Sequence, residues 1–280
     1  MRRAAQLALD ALRGRLHPRD AVREIAPRLA RRAATRQIFA PGAPALVLSP
    51  HLDDAVLSCW SALVAPGELL VANLFSGRPA AGVLGPYDRI AGASESAMLI
   101  EARELEDRAA LSLAGRTPTN LGFLETQYRR HAPAVDELLA ALVRACPAAR
   151  VAVAPAAIGL HPDHLLARRL GLALRDAGVP LVLYADLPYC VSYGWPEWVT
   201  GQPRDPNLVV DASWATAFEP IVARGIALER EVHVLDPAQR SAKLAALRRY
   251  TTQYATLTRG PLDVLANPAV LGFEVSWRVR

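Results

Sequence analysis

The stretch SPHLDDAVLS (49–58) sets His51 beside two adjacent carboxylates, Asp53 and Asp54, directly after the apolar run ALVLS (45–49). The stretch HPDH (161–164) repeats the layout, with His161, Asp163 and His164 following the apolar run RVAVAP (150–155) and opening a periodic apolar segment. Three of the six histidines fall in these two short stretches. Helix capping accounts for part of this, since an aspartate at an N-cap or in a first turn stabilises a helix by about 1 kcal/mol. Two adjacent carboxylates exceed what a cap needs, and they repel each other unless a cation sits between them. Two imidazoles and one or two carboxylates brought together make a metal site of the two-His, one-carboxylate kind. Zinc accepts such a set and keeps an open position in catalytic sites. Ferrous iron uses a similar facial triad, so ligand type alone leaves the metal open.

Whether the two stretches converge depends on the elements that carry them. Strands are expected at 45–49, 69–76, 119–124, 150–155 and 180–185, and helices at 54–65, 93–114, 133–145 and 163–177. Apolar, β-branched strands alternating with helices imply an α/β fold with an open, doubly wound, mostly parallel sheet and helices on both faces. In such sheets ligands bind outside the carboxyl ends of the strands, which is where both histidine stretches lie. After residue 186 the pattern loosens. An aromatic, turn-rich segment (188–198) precedes an expected strand at 231–236, a helix at 237–250 and a closing strand at 273–279.

A length of 280 residues suits one sizeable α/β domain, or one domain plus a small appendage. Hydrophobic residues make up 52% and charged residues 21%, the composition of an ordinary globular protein. No apolar stretch approaches the roughly 18 residues that span a membrane, and no secretory h-region is visible at the N-terminus. Cys59, Cys146 and Cys190 are scattered and odd in number, which fits a reducing cytoplasm better than a disulfide framework. The basic charge is local. Residues 1–36 carry ten arginines and a net charge of +7 in a chain whose total is +5, leaving −2 for residues 37–280. A nucleic-acid partner is therefore not expected for the body, because a basic footprint belongs on the binding surface itself. Two amphipathic helices are expected within this segment, at 3–16 and 19–34. They suit packing on the body or on a second subunit, with a weak membrane-surface contact through residues 1–36 as the alternative.

The two motifs together resemble those of the PIG-L/LmbE-like N-acetylglucosaminyl deacetylases. RELEDRAALSLAG (103–115), LETQYR (124–129) and KLAALRRYTTQ (243–253) resemble further stretches of that family in order and spacing. The resemblance spans roughly residues 44–255. It implies a Rossmann-like fold and a zinc-dependent hydrolase that removes an N-acetyl or other N-acyl group from a small-molecule amino sugar or glycoside. The arginine content and helical periodicity of the N-terminal segment lie outside that resemblance and set an Arg-rich helical extension (1–40) apart from a single catalytic domain (41–280), of which 185–280 is expected to be less regular and to cover the site. Position by position, His51, Asp54 and His164 would be the zinc ligands. Asp53 would be the general base toward the attacking water, and His161 would stabilise the oxyanion or protonate the leaving amine. Asp163 would orient and charge-tune a histidine, and Arg103 would hold the sugar. An amidase acting on a non-sugar or thiol-conjugate amide, and a non-catalytic metal-binding module, are the alternatives.

Other residues are weaker candidates. Glu125, Tyr128 and Arg129 follow a strand and so belong near the pocket rim, as substrate contacts. Arg78 and Arg89 are of a type that reaches sugars or phosphates, although surface arginines are usually solvated. Tyr189, Tyr193, Trp195 and Trp198 could stack on a sugar face, although such clusters more often pack. His233 sits in an alternating strand and reads as structural. Cys190 has no base at motif spacing, so nothing supports cysteine nucleophilic catalysis.

Overall fold

Leu46, Val47 and Leu48 have almost no exposed surface, the condition of a strand with neighbours on both edges and helices on both faces. They lie in β1 (Ala45–Ser49), which pairs in parallel with β2 (Leu69–Asn73) on one side and β4 (Val151–Pro155) on the other. β3 (Pro118–Asn120) continues the sheet beyond β2, and β5 (Leu181–Tyr184) continues it beyond β4, both in parallel. β7 (Phe273–Val279) then joins β5 in antiparallel fashion, and β6 (Leu228–Val234) pairs antiparallel with β7. The order is β3-β2-β1-β4-β5-β7-β6. The expected α/β class with a doubly wound, mostly parallel sheet is what the chain adopts. The computed structural model describes residues 44–203, 210–253 and 267–280, all within one compact unit, Phe39–Arg280. The expected Arg-rich extension over 1–40, with its helices at 3–16 and 19–34, lies outside the described residues.

Helices α1 (Asp54–Ser58) and α2 (Trp60–Leu63) follow β1, and α3 (Pro86–Ile90) and α4 (Ser96–Ser112) follow β2. α5 (Val135–Ala145) leads into β4, and α6 (Pro162–Asp176) leaves it. The less regular part holds α7 (Glu197–Thr200) and α8 (Val210–Val222), then α9 (Pro237–Leu247) and α10 (Pro268–Leu271). α9 packs on α1 and α4, and α5 packs on α6. Right-handed crossovers place these two groups on opposite faces. α6 lies so close to β4 that a Cβ at Gly171 would stand 2.7 Å from the Cβ of Ala154. Only glycine allows that approach. The chain runs outward from β1 to β3 and returns to β4 on the other side of β1. The two histidine loops therefore open side by side at the topological switch point.

The helix expected over 54–65 is two helices broken at Cys59, and the cause comes from far along the chain. Glu274 on β7 accepts hydrogen bonds from Trp60 N (2.7 Å), Ser61 N (2.9 Å) and Ser61 Oγ (2.6 Å), capping α2 with its carboxylate. Lys243 on α9, the chain's one lysine, donates to the same carboxylate at 2.7 Å, and both side chains are buried. The strand expected over 119–124 ends at Asn120, because the chain there turns to bond Asn73 O and Leu74 O through Leu121 N and Phe123 N. α3 carried no periodicity long enough to be read. Replacing one partner of a buried ion pair strands the other. Lys243→Met should therefore destabilise the fold by about 3 kcal/mol, read as a lower urea midpoint; an unchanged midpoint would mean that Glu274 is held by its amide donors alone.

Candidate metal centre at the sheet switch point

The turn after β1 is pinned by its own side chains. Ser49 Oγ donates to His51 O (2.7 Å) and accepts from Ala55 N (3.1 Å). Asp54 Oδ2 accepts from the backbone N–H of its neighbour His51 at 2.8 Å. Asp53 occupies the N-cap position of α1 but makes no capping hydrogen bond, so capping does not explain the pair. At the second loop His161 is the N-cap of α6, and its Nδ1 accepts from Asp163 N at 3.3 Å.

The tautomers follow from the outer contacts. His51 Nε2 meets Asp163 Oδ2 at 3.1 Å, and His164 Nδ1 meets Asp186 Oδ1 at 2.8 Å. Each carboxylate accepts, so each of those nitrogens carries the hydrogen. The remaining nitrogens, His51 Nδ1 and His164 Nε2, each lie 3.3 Å from Asp54 Oδ2. His164 Nε2 is buried and has no hydrogen-bond partner. Three electron-rich atoms thus face one point. Ligands about 2.0–2.2 Å from a tetrahedral ion lie about 3.3–3.5 Å from one another, so these separations fit a cation. His161 also brings a ring nitrogen within 4.8 Å of those of His51 and His164. The donor set, imidazole and carboxylate, suits zinc or ferrous iron.

Electrostatics match this arrangement. Burial acts to raise the Asp54 carboxyl, but His164 and His51 outweigh it and hold the group far below the usual carboxylate range. Burial acts to lower His164, yet Asp54 and Asp186 lift it to about 9. Asp53 goes the other way, raised by burial and then by the Asp54 charge to about 7. Burial, then the neighbouring His51 and His164, lowers His161 to about 4. Asp163 is fully buried. It also accepts from Thr126 N at 3.0 Å and pairs with the Arg129 guanidinium.

The rim residues expected as substrate contacts sit beside this cluster but are tied to protein partners. Arg103 lies 3.7 Å from Asp88 and 3.8 Å from Glu125, with its Nε buried and unbonded. Tyr128 donates to the buried Asp88, and Gln127 donates to both Asp88 (3.3 Å) and Glu125 (2.8 Å). Arg129, besides Asp163, donates to Leu124 O and lies over the Phe75 ring. Arg78 pairs with Glu104 at the surface. Trp195 and Trp198 pack against Trp214, and His233 meets Ser276, so these are packing residues.

Two residues of this region, Asp186 and Asp88, escaped the sequence reading. Asp186, one residue past β5, holds both His164 Nδ1 and Ile158 N (2.9 Å); its place at a strand's carboxyl end was the available signal. Asp88 gave none. Tyr189 was noticed only as a sugar-stacking candidate. Its ring lies 5.0 Å from that of His164 and 5.6 Å from that of His161. Gly159, at φ +91°, makes room for it: a Cβ there would stand 2.9 Å from the Tyr189 Cβ.

A Rossmann-like sheet with a candidate metal centre at its switch point defines a class of α/β metalloprotein. No protein-family model matches the chain. A curated relative, 2'-N-acetylparomamine deacetylase of Streptomyces fradiae, is 34% identical over 161 residues, or 51% of this chain and 57% of that protein's own length. Among solved structures, the A40926 pseudoaglycone deacetylase Dbv21 aligns with a TM-score of 0.63 at 28% identity, covering 85% of this chain and 97% of that one. The zinc-inhibited form of teicoplanin deacetylase Orf2 aligns with a TM-score of 0.62 at 25% identity, covering 85% and 98%. In sequence and in fold the chain is similar to these deacetylases.

Carboxylates that orient a ligating histidine typically contribute about 10–100-fold in metal affinity. Asp186→Ala should weaken zinc binding by that factor in competition with a chromophoric chelator. An affinity equal to wild type would show that the helix alone orients His164.

Proposed function

We propose that this protein is a zinc-dependent N-deacetylase, hydrolysing the N-acetyl or another N-acyl amide of an amino sugar or glycoside. The observation that carries the proposal is the convergence of His51 Nδ1, Asp54 Oδ2 and His164 Nε2 on one point, with the Asp53 carboxyl beside it. Three relatives named as deacetylases support the reaction class, and the zinc-inhibited form of one of them supports an affinity of such a site for zinc.

His51, Asp54 and His164 would hold the ion, which when bound supplies Lewis acidity and makes a water easier to deprotonate. Asp53 takes the proton of the attacking water. It is suited to this because burial and the Asp54 charge raise its proton affinity above that of an ordinary carboxylate. The same carboxyl can then return the proton to the departing amine, so no net proton is stored. His161 contributes from the opposite loop. Its Nδ1 accepts from Asp163 N, which leaves Nε2–H as a donor toward the carbonyl oxygen as negative charge develops there. Asp163 keeps His51 in the required tautomer, and Asp186 does so for His164. Arg103, beside Asp88 and Glu125 at the rim, is the cation that would hold a sugar hydroxyl.

Two variants test the assignment. Asp53→Asn should retain about one zinc per chain and lose about 10²–10⁴-fold in kcat on a panel of N-acetylated glycosides; full turnover would remove Asp53 from the role of base. His164→Ala should lose the metal, as measured by elemental analysis. Unchanged zinc content in that variant would mean that the ion is held without the second loop.

A further inference from the structure

A cleft of about 240 Å³ lies between the loop following β3 and the first two turns of α6. Arg129, Arg130, His131 and Arg169 line it, and Leu165 and Leu166 form an apolar side. No carboxylate contributes to the lining. Asp163 neutralises Arg129 from behind. Arg130 and Arg169 are exposed and make no hydrogen bond or ion pair among the described residues. Two unpaired guanidinium groups facing one concavity repel each other, and an oxyanion between them removes that cost. Guanidinium groups also match the planar oxygen pairs of carboxylate and phosphate.

This clustering does not reflect a basic body, because residues 37–280 sum to −2. Pro162, at the first position of α6, also lines the cleft, so the positive end of that helix adds to the field. The cleft shares a wall with the candidate metal centre. Thr126 and Arg129 line the one and hold Asp163, which in turn holds His51 in the other.

We propose that this cleft is a subsite for an oxyanion, a carboxylate or a phosphate ester, borne on an apolar part of the substrate away from the acylated amine. Calling the ligand part of the substrate rests on the deacetylase reading; the anion site itself does not. The side chains divide the work. Arg130 and Arg169 take the charge, and Leu165 and Leu166 cover the carbon body beside it.

The test is calorimetric titration of the zinc-loaded full chain with phenyl phosphate and with benzoate, beside Arg130→Ala/Arg169→Ala. Both arginines are exposed, so the double variant should keep the wild-type melting temperature. The expected result is saturable binding of at least one probe that weakens with added salt and is reduced roughly tenfold or more in the double variant. Benzyl alcohol, which keeps the ring and lacks the charge, should not bind. Absence of saturable binding by both anions overturns the subsite, as does equal affinity in wild type and double variant, which would place the anion elsewhere, on the metal for instance. Because the readout is binding, its failure leaves the deacetylase reading standing. Conversely, a protein that hydrolyses no amide can still pass or fail this test.

Discussion

Charge taken out of water must be met by charge or by donors, and the centre of this protein is organised around that requirement at Asp54. Its carboxylate is buried. Its Oδ2 accepts from the amide of His51 and otherwise faces the two imidazole nitrogens, His51 Nδ1 and His164 Nε2, at 3.3 Å each. The other nitrogen of each ring is already committed to a second carboxylate. An anionic oxygen and two lone pairs can share so small a space only around positive charge. Protons satisfy this through the raised affinities of both histidines. A divalent cation satisfies it at the separations expected of ligands on one tetrahedral ion.

The same rule runs outward. Asp163 and Asp186 are buried carboxylates that each accept from a histidine ring N–H and a backbone amide, Thr126 N and Ile158 N, and Asp163 also pairs with the Arg129 guanidinium. They set the tautomers and tie the histidines to loops from three strands. Asp88 gathers Tyr128, Gln127 and Arg103 under the rim. Glu274 takes Lys243 and the first amides of α2. None of these carboxylates belongs to the two histidine motifs except Asp163. The motif residues hold their positions because carboxylates from elsewhere in the chain hold them there.

Some of this was legible in the sequence, and some could not be. β1 and β4 were readable from apolar runs ended by polar loops, because a strand covered on both faces leaves no room for alternation. α5 was readable from Leu138 and Leu142, four apart and both buried. The break at Cys59 was not, since the carboxylate that caps α2 arrives from a strand more than 200 residues later. Arg103 and Tyr128 were readable as near the site, but not as bound by Asp88, which sits in a five-residue helix too short to show a period.

What the sequence by itself determined is the chemistry: which residue types stand at the ends of which strands, and hence that imidazoles and carboxylates meet at a sheet's carboxyl edge. That much is local, written in short runs and their spacing. What only the tertiary structure decided is the state of those groups: which nitrogen of each histidine is free, why Asp53 and Asp54 differ in proton affinity, and which arginines remain unpaired beside the site. Those properties are set by burial and by partners distant along the chain, such as Asp186 for His164 and Asp163 for His51. Electrostatic energies depend on separation in space and on exclusion of water, and neither quantity exists until the chain has folded.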